Sequence, residues 1–508
     1  MLKTAFFATL LFFIRLLANH KPSFMTTTFN CATGTLAPYV PSDSAPWNKK
    51  RAMHLLRRMG FGLRPDEIEN ALQQSPGDLV DQIIDDAISL PLPPEPDWAN
   101  WSTEDYDDFN QQRVEQVIEW ITTWIEQLVT HGFREKLSVF WHNHFVTNYE
   151  TYLCPSYVYE YTSLLRQYAL GNFKTFTEEI GKSSAMLIYL NGVQNVRANP
   201  NENYARELFE LFTLGVDNGY TEDDIKQAAR ALTGWNGFST DPYCVPITFV
   251  PFLHDGTIKT IFGQTGNWGY DDLHDILFAE RRDEIATFIC GKLYRAFVHP
   301  QEDEAIVAGL AQTFKDNDFE LAPVLRQLFK SEHFFDEYNM GTVVKSPLEL
   351  FLTTLREAGF SYTQESLSIM SYLSGDLGQQ LLFPPDVAGW QGNRDWIDTN
   401  RLTGRWQGMD YLIFTTFQNQ PQELVNLARA LSNDSIDPYE VTVSIVDHLI
   451  PTGLDSQEAY ERATTVFKWE VPQNYYDNGE WNLYWNEAPL QVGLLMRHIS
   501  RLPEFQLT

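Results

Sequence analysis

Apolar positions recur every three to four residues through most of the chain, the spacing of helices buried along one face. Tyr204, Leu208, Leu211 and Phe212 show it, and Ile225, Ala228, Ala229 and Leu232 repeat it. Start and stop signals bracket both stripes. Asn199 is a good N-cap, Pro200 suits the first helical position, and Glu202 stands where a capping box needs it. Gly215 ends this first helix. Thr221 and Asp224 open a second helix that Gly234 closes, with Asn218-Gly219 as the turn. The stretch from Asn199 to Trp235 therefore predicts a helical hairpin.

The same spacing predicts helices from near Trp47, over 64–90 after a Gly60-Phe61-Gly62 break, and over 107–130, 134–145, 157–170 and 173–183. Further helices follow over 270–278, 282–297, 302–317, 321–330 and 346–357, and again from Thr399. Between 236 and 269 the helical period is lost. There, ITFVPFL and TIKTIF flank His254-Asp255-Gly256, and Asp-Gly is a strong turn signal. The fold class expected is mainly α, a multi-helix globular array with a small β-hairpin inserted near 246–262. Expected organisation is an extended arm over 25–46, a helical core over 47–410, and a C-terminal helical part over 411–508 packed on that core. The loop from Phe383-Pro384-Pro385 to Trp396 is irregular, and presents Gly389-Trp390 as a loop anchor or as the stacking wall of a cleft.

Charge narrows the function classes. The 508 residues hold 37 basic and 67 acidic side chains, a formal charge of −30. That argues against nucleic acid or an anionic membrane as the general partner, since both need basic surface. Aromatics at 14% favour a well-packed core or a surface for sugars or peptides. Residues 1–24 carry Lys3 and an apolar run too short to span a membrane. Two readings stand: a signal peptide with an export role, or an upstream extension with Met25 as the true start. Cys31, Cys154, Cys244 and Cys290 show no zinc spacing and allow three disulfide pairings, among which the sequence does not choose.

Several ionisable groups are candidates for chemistry. His142 and His144 are metal-ligand candidates, although i and i+2 point about 200° apart in a continuous helix. Glu202, Arg206 and Glu207 lie on the polar side of the first hairpin helix, where Glu202–Arg206 and Arg206–Glu210 are i,i+4 pairs. They read either as an ion-pair network or as a general base with an arginine for an anionic group. His254, Asp255 and Lys259 sit at the expected turn, where an exposed histidine beside an acid could act as a ligand or acid/base group. Arg57 and Arg58 are expected to pair with the acidic surface. Walker A, G-x-S-x-G, G-x-G-x-x-G and HEXXH motifs are absent, so nucleotide, serine-hydrolase and zincin readings lack support.

Taken together, RRMGFG (57–62), FWHNHFVTN (140–148), PNENYARELFELFTLG (200–215), YTEDDIKQAARALTGW (220–235), HDGTIKTIFGQTG (254–266), KSPLEL (345–350) and FPPDVAGWQG (383–392) resemble the bacterial domain of unknown function 1800 family. The opening TTTFNCATGTLAPY resembles the Bacteroidetes-type members. The resemblance implies a mostly helical fold, export, and a sulfatase-like protein of a neighbouring gene family as partner. Two functions follow: a metal-assisted hydrolase using the groups above, or a non-catalytic binding or assembly protein acting with that partner.

Overall fold

A computed structural model describes residues 34–508, and residues 1–33, with the signal-peptide candidate, Met25 and Cys31, lie outside the described part. The apolar stripes become helices that bury them against one another. Twenty-three α-helices dominate the described residues, and the sheet content is one two-stranded antiparallel ribbon. The chain is mainly α.

The arm enters along the stretch after the Leu321–Lys330 helix: the Tyr39 amide donates to the Lys330 carbonyl at 2.7 Å, and Glu332 N to Ala37 O at 2.8 Å. The Lys49–Arg58 helix follows, capped by the Asn48 side chain. Arg57 and Arg58 do not serve the acidic surface as expected. Arg57 forms a buried pair with Glu357 at 2.6 Å, and Arg58 is sealed in the core, donating to the Val298 and Thr508 carbonyls. The reason is the partner: Glu357 lies on the inner face of the Pro347–Ala358 helix, and a buried carboxylate needs a cation beside it. Residues Gly34–Thr508 pack as one unit, in which the Thr399–Asn419 helix runs across position 410.

Two local expectations are corrected. The first hairpin helix begins at Asn203, so the Asn199–Glu202 capping box does not form; Asn195 and Asn201 side chains take the Asn201 and Asn203 amides instead. After Glu207 this helix widens into a π-helical turn, Leu208–Thr213, and both Leu214 and Gly215 amides reach the Phe209 carbonyl. The extra residue turns Phe209 inward and leaves Leu211 half-buried. The second helix, Glu222–Ala231, keeps its Thr221–Asp224 capping box as read.

The β-ribbon pairs Lys259–Ile261 with Gln264–Gly266 around Phe262-Gly263, not around Asp255-Gly256. Pro251, which has no amide to donate, opens a short 3-10 turn and ends the first candidate strand. Cys154 and Cys244 form a disulfide, and Cys290 is a buried free thiol.

Candidate functional site

The ionisable candidates separate into three places. Arg206 sits at the surface, bonding Glu222 with both nitrogens at 2.8 Å, Glu210 at 3.2 Å and Glu202 at 3.4 Å. Glu207 lies outside this network. It is half-buried, its carboxylate makes no hydrogen bond among the described residues, and burial, with Glu210 adding, raises its pKa against the pull of Arg206.

The 254–259 turn packs on the far end of the Glu222–Ala231 helix. Arg230 bonds Asp255 at 2.7 Å. Burial would raise the Asp255 pKa, but bonds from Arg230 and Thr257 outweigh it and hold the carboxyl well below the usual range. His254 Nδ1 donates to the Thr233 carbonyl at 2.9 Å. Lys259 is 1% exposed and turned back on its own loop, donating to the Asp255 and Thr257 carbonyls. Glu222 and Arg230 are eight residues apart, about 12 Å along a helix. No hydrogen bond or ion pair joins the turn to Glu202, Arg206 or Glu207 among the described residues.

The two histidines serve two different seams. The Phe133–His142 helix ends between them, at Asn143. His142 is fully buried. Its Nε2 accepts from the Leu382 amide at 3.0 Å, so Nδ1 carries the proton and meets Tyr161 Oη at 2.9 Å. Burial holds its pKa at about 3. His144 Nε2 donates to the Phe212 carbonyl at 3.0 Å, and its Nδ1 accepts from Lys292 at 2.9 Å. Among the described residues no three His, Cys, Asp or Glu side chains are grouped to hold a metal ion.

A different set of residues converges on one cleft of about 160 Å³. Lys136, Val139, Phe140 and Asn143 face it at i, i+3, i+4 and i+7 of a single helix. Phe61 comes from the RRMGFG turn, Ser346 and Glu349 from KSPLEL, and Trp390 and Gly392 from the FPPDVAGWQG loop; Gln379 and Trp396 complete it. Lys136 spends its three donors on Glu349 at 2.8 Å, Arg57 O at 2.6 Å and Gly60 O at 2.9 Å. Ser346 and Glu349 form the capping box of the Pro347–Ala358 helix. Burial opposes the Glu349 charge, yet Lys136 and the Ser346 amide keep its pKa below the carboxylate norm. The Asn143 amide grips both backbone groups of Trp390, and the loop turns at Gly389, φ 74°, where a Cβ would come within 2.3 Å of Asn143 Oδ1.

Hydrogen-bonding capacity is left over. Gln379 Oε1 accepts from the Leu348 amide, and its two N–H donors have no partner among the described residues. Trp390 Nε1 is buried and has no partner among the described residues. Glu349, Lys136, Gln379 and Trp396 went unmarked in the sequence. The signal present was the S-x-x-E capping box in KSPLEL, which reads as architecture alone.

A larger cavity, about 520 Å³, lies between the Thr399–Asn419 and Ala488–Ile499 helices. Its lining is Tyr411, Phe414, Phe417 and similar apolar groups with the Asp410–Arg497 pair. It gathers none of the family-like segments, so the smaller cleft is the better candidate.

The molecule is thus a mainly helical protein with an aromatic cleft built from distant segments. The model of the family described as "Protein of unknown function (DUF1800)" matches residues 54–507, and the chain belongs to that family. No curated protein and no solved structure was found to match it.

Proposed function

We propose that this protein binds carbohydrate, holding one sugar ring in the cleft between Phe61, Phe140, Trp390 and Trp396. The observation that carries this reading is the cleft's makeup: four family-like segments meet there around aromatic walls and unused donors. A sugar is apolar on its C–H faces and polar at its rim. Aromatic rings suit the faces, while the Gln379 amide and Glu349 carboxylate suit the hydroxyls. A volume near 160 Å³ falls below the range for drug-sized ligands and fits a single ring.

Binding is favoured over turnover because the cleft's charged groups are committed. Glu349 is held ionised, and Lys136 has no donor to spare. The Cys154–Cys244 disulfide supports an oxidising compartment, hence export. A sulfatase-like partner fits, since a binding protein needs a second protein to act on what it holds. The test is retention of the purified protein on a panel of immobilised neutral oligosaccharides. Retention by some members, competed by the free sugar, is expected. Uniform non-retention would contradict the proposal.

One observation favours the rival hydrolase reading. Glu207 is a half-buried carboxyl with a raised pKa and no hydrogen-bond partner among the described residues, and its charge and that of Asp386 are both felt at Tyr189. Elemental analysis after equilibration with zinc, manganese and calcium, on wild type and Glu207→Gln, tests its metal-assisted form. Stoichiometric metal lost in the variant would support it.

A further inference from the structure

The π-helical turn does more than close the central hairpin. Its end leaves the Leu211 and Phe212 carbonyls without helical partners, the usual state of a helix C-terminus. His144 covers one: its Nε2 donates to Phe212 O, which leaves Nδ1 as an acceptor. Lys292, from the Arg282–Phe297 helix, reaches this junction with its Nζ 2.9 Å from His144 Nδ1 and 3.2 Å from Leu211 O. The Phe288 ring lies 4.8 Å away.

This is an unusual setting for a lysine. Among the described residues its Nζ makes no hydrogen bond beyond these two, and no carboxylate pairs with it. The charged side chain felt at Lys292 is Arg295, on the same helix and itself paired with Glu302. His144 is the one titratable group facing Lys292 from the 143–148 segment, and burial and the lysine charge keep it neutral. The π-turn offers a carbonyl and no charge, because Glu210 turns to Arg206. Two acceptors with no counter-ion match the two N–H bonds of a neutral amine and leave its lone pair unused. Lysine is ordinarily a strongly hydrated cation, and one held this way becomes a nucleophile.

We infer that Lys292 is a reactive amine whose substrate class is aldehydes and ketones, positioned by His144 and the Leu211 carbonyl. The lone pair attacks the carbonyl carbon, forming a C–N bond as the C=O π electrons move to oxygen. The nitrogen loses a proton to water and the oxygen gains one, giving a carbinolamine. Loss of water then yields the imine, with no change of oxidation state. Burial, with Arg295 adding, lowers the Lys292 pKa to about 7, which places the free amine within the neutral range. Lys292 precedes Ala296, a cleft residue, by one turn, about 6 Å. The inference nevertheless stands apart from any sugar in the cleft.

The experiment is reductive methylation of the intact wild-type protein with formaldehyde and cyanoborohydride, with each lysine's rate followed by peptide mass spectrometry from pH 6 to 10. Lys226, exposed on the Glu222–Ala231 helix, is the internal comparison. Lys292 is expected to react at least tenfold faster than Lys226 at pH 7 and to reach a plateau near pH 8, while Lys226 keeps accelerating. A folded His144→Gln variant is expected to shift the Lys292 profile towards that of Lys226. Lys292 left unmethylated while Lys226 reacts, or following the same pH profile, would overturn the inference; because both readings come from wild type, misfolding of the variant does not blur the result.

Discussion

Asn143 holds Trp390 by its backbone: Oδ1 accepts from the Trp390 amide at 2.6 Å, and Nδ2 donates to the Trp390 carbonyl at 3.0 Å. The two residues are far apart in sequence, so one side chain fixes a distant loop as a wall of the cleft. Asn143→Ala removes both bonds and leaves the loop's groups unmatched. The expected loss is about 1–3 kcal/mol of stability, read as the urea midpoint. Gly389→Ala should act on the same contact, since its methyl group would strike Asn143 and its φ is positive. An unchanged midpoint in both variants would show that the loop is held elsewhere.

The Arg57–Glu357 pair links the first described helix to the Pro347–Ala358 helix, with both side chains under 5% exposed. Arg57 also donates to the His448 and Leu449 carbonyls. Removing one partner strands a buried charge, so Glu357→Ala should destabilise by about 3–5 kcal/mol. Replacing both partners with apolar residues should cost less than either single change. A double-mutant cycle in urea distinguishes the outcomes.

Acid should destabilise the fold in a defined window. Burial holds His142 and His448 at about 3 and His274 at about 4, all below the ordinary 6.5. These folded values are depressed, so the unfolded chain takes up protons first as pH falls. The stabilisation is complete above about 6.5 and is lost progressively towards 3–4. Each histidine contributes a slope of about 1.4 kcal/mol per pH unit in that interval. Urea midpoints measured from pH 7.5 to 4.5 should fall, and His448→Gln should flatten the fall. Stability independent of pH across this range would contradict the burial of these rings.

The Cys154–Cys244 disulfide joins residues 90 apart. A loop of that size, closed by a native bridge, predicts a loss of about 2–5 kcal/mol in Cys154→Ser or after reduction. Thermal unfolding with and without reductant reads it, and coincident transitions would argue that the bridge does not form in solution.

The helices could be read from the sequence because their caps and stripes are local. Thr221 with Asp224, and the i,i+4 partners of Arg206, appear where residue spacing puts them. What spacing could not show was length: one extra residue in the Leu208–Thr213 turn rotates Phe209 inward and aims two carbonyls at His144 and Lys292. The ribbon turns at Phe262-Gly263 and not at the Asp255-Gly256 signal, because Pro251 outweighs the apolar run around it. The cleft was least legible. Its members lie up to several hundred residues apart, and Lys136, Glu349 and Gln379 belong to no local pattern that signals chemistry. Of its walls, Trp390 alone is legible in the sequence, through the rigidity of its Pro-Pro and Gly-bounded loop.

The most direct measurement of the binding proposal is isothermal titration of neutral monosaccharides, methyl pyranosides and N-acetylglucosamine among them, into wild type, Phe140→Ala and Gln379→Ala. The account predicts that at least one sugar binds wild type, and that both variants weaken it tenfold or more, about 1.4 kcal/mol. A sugar bound with equal affinity by all three proteins, or no sugar bound by wild type, would contradict it.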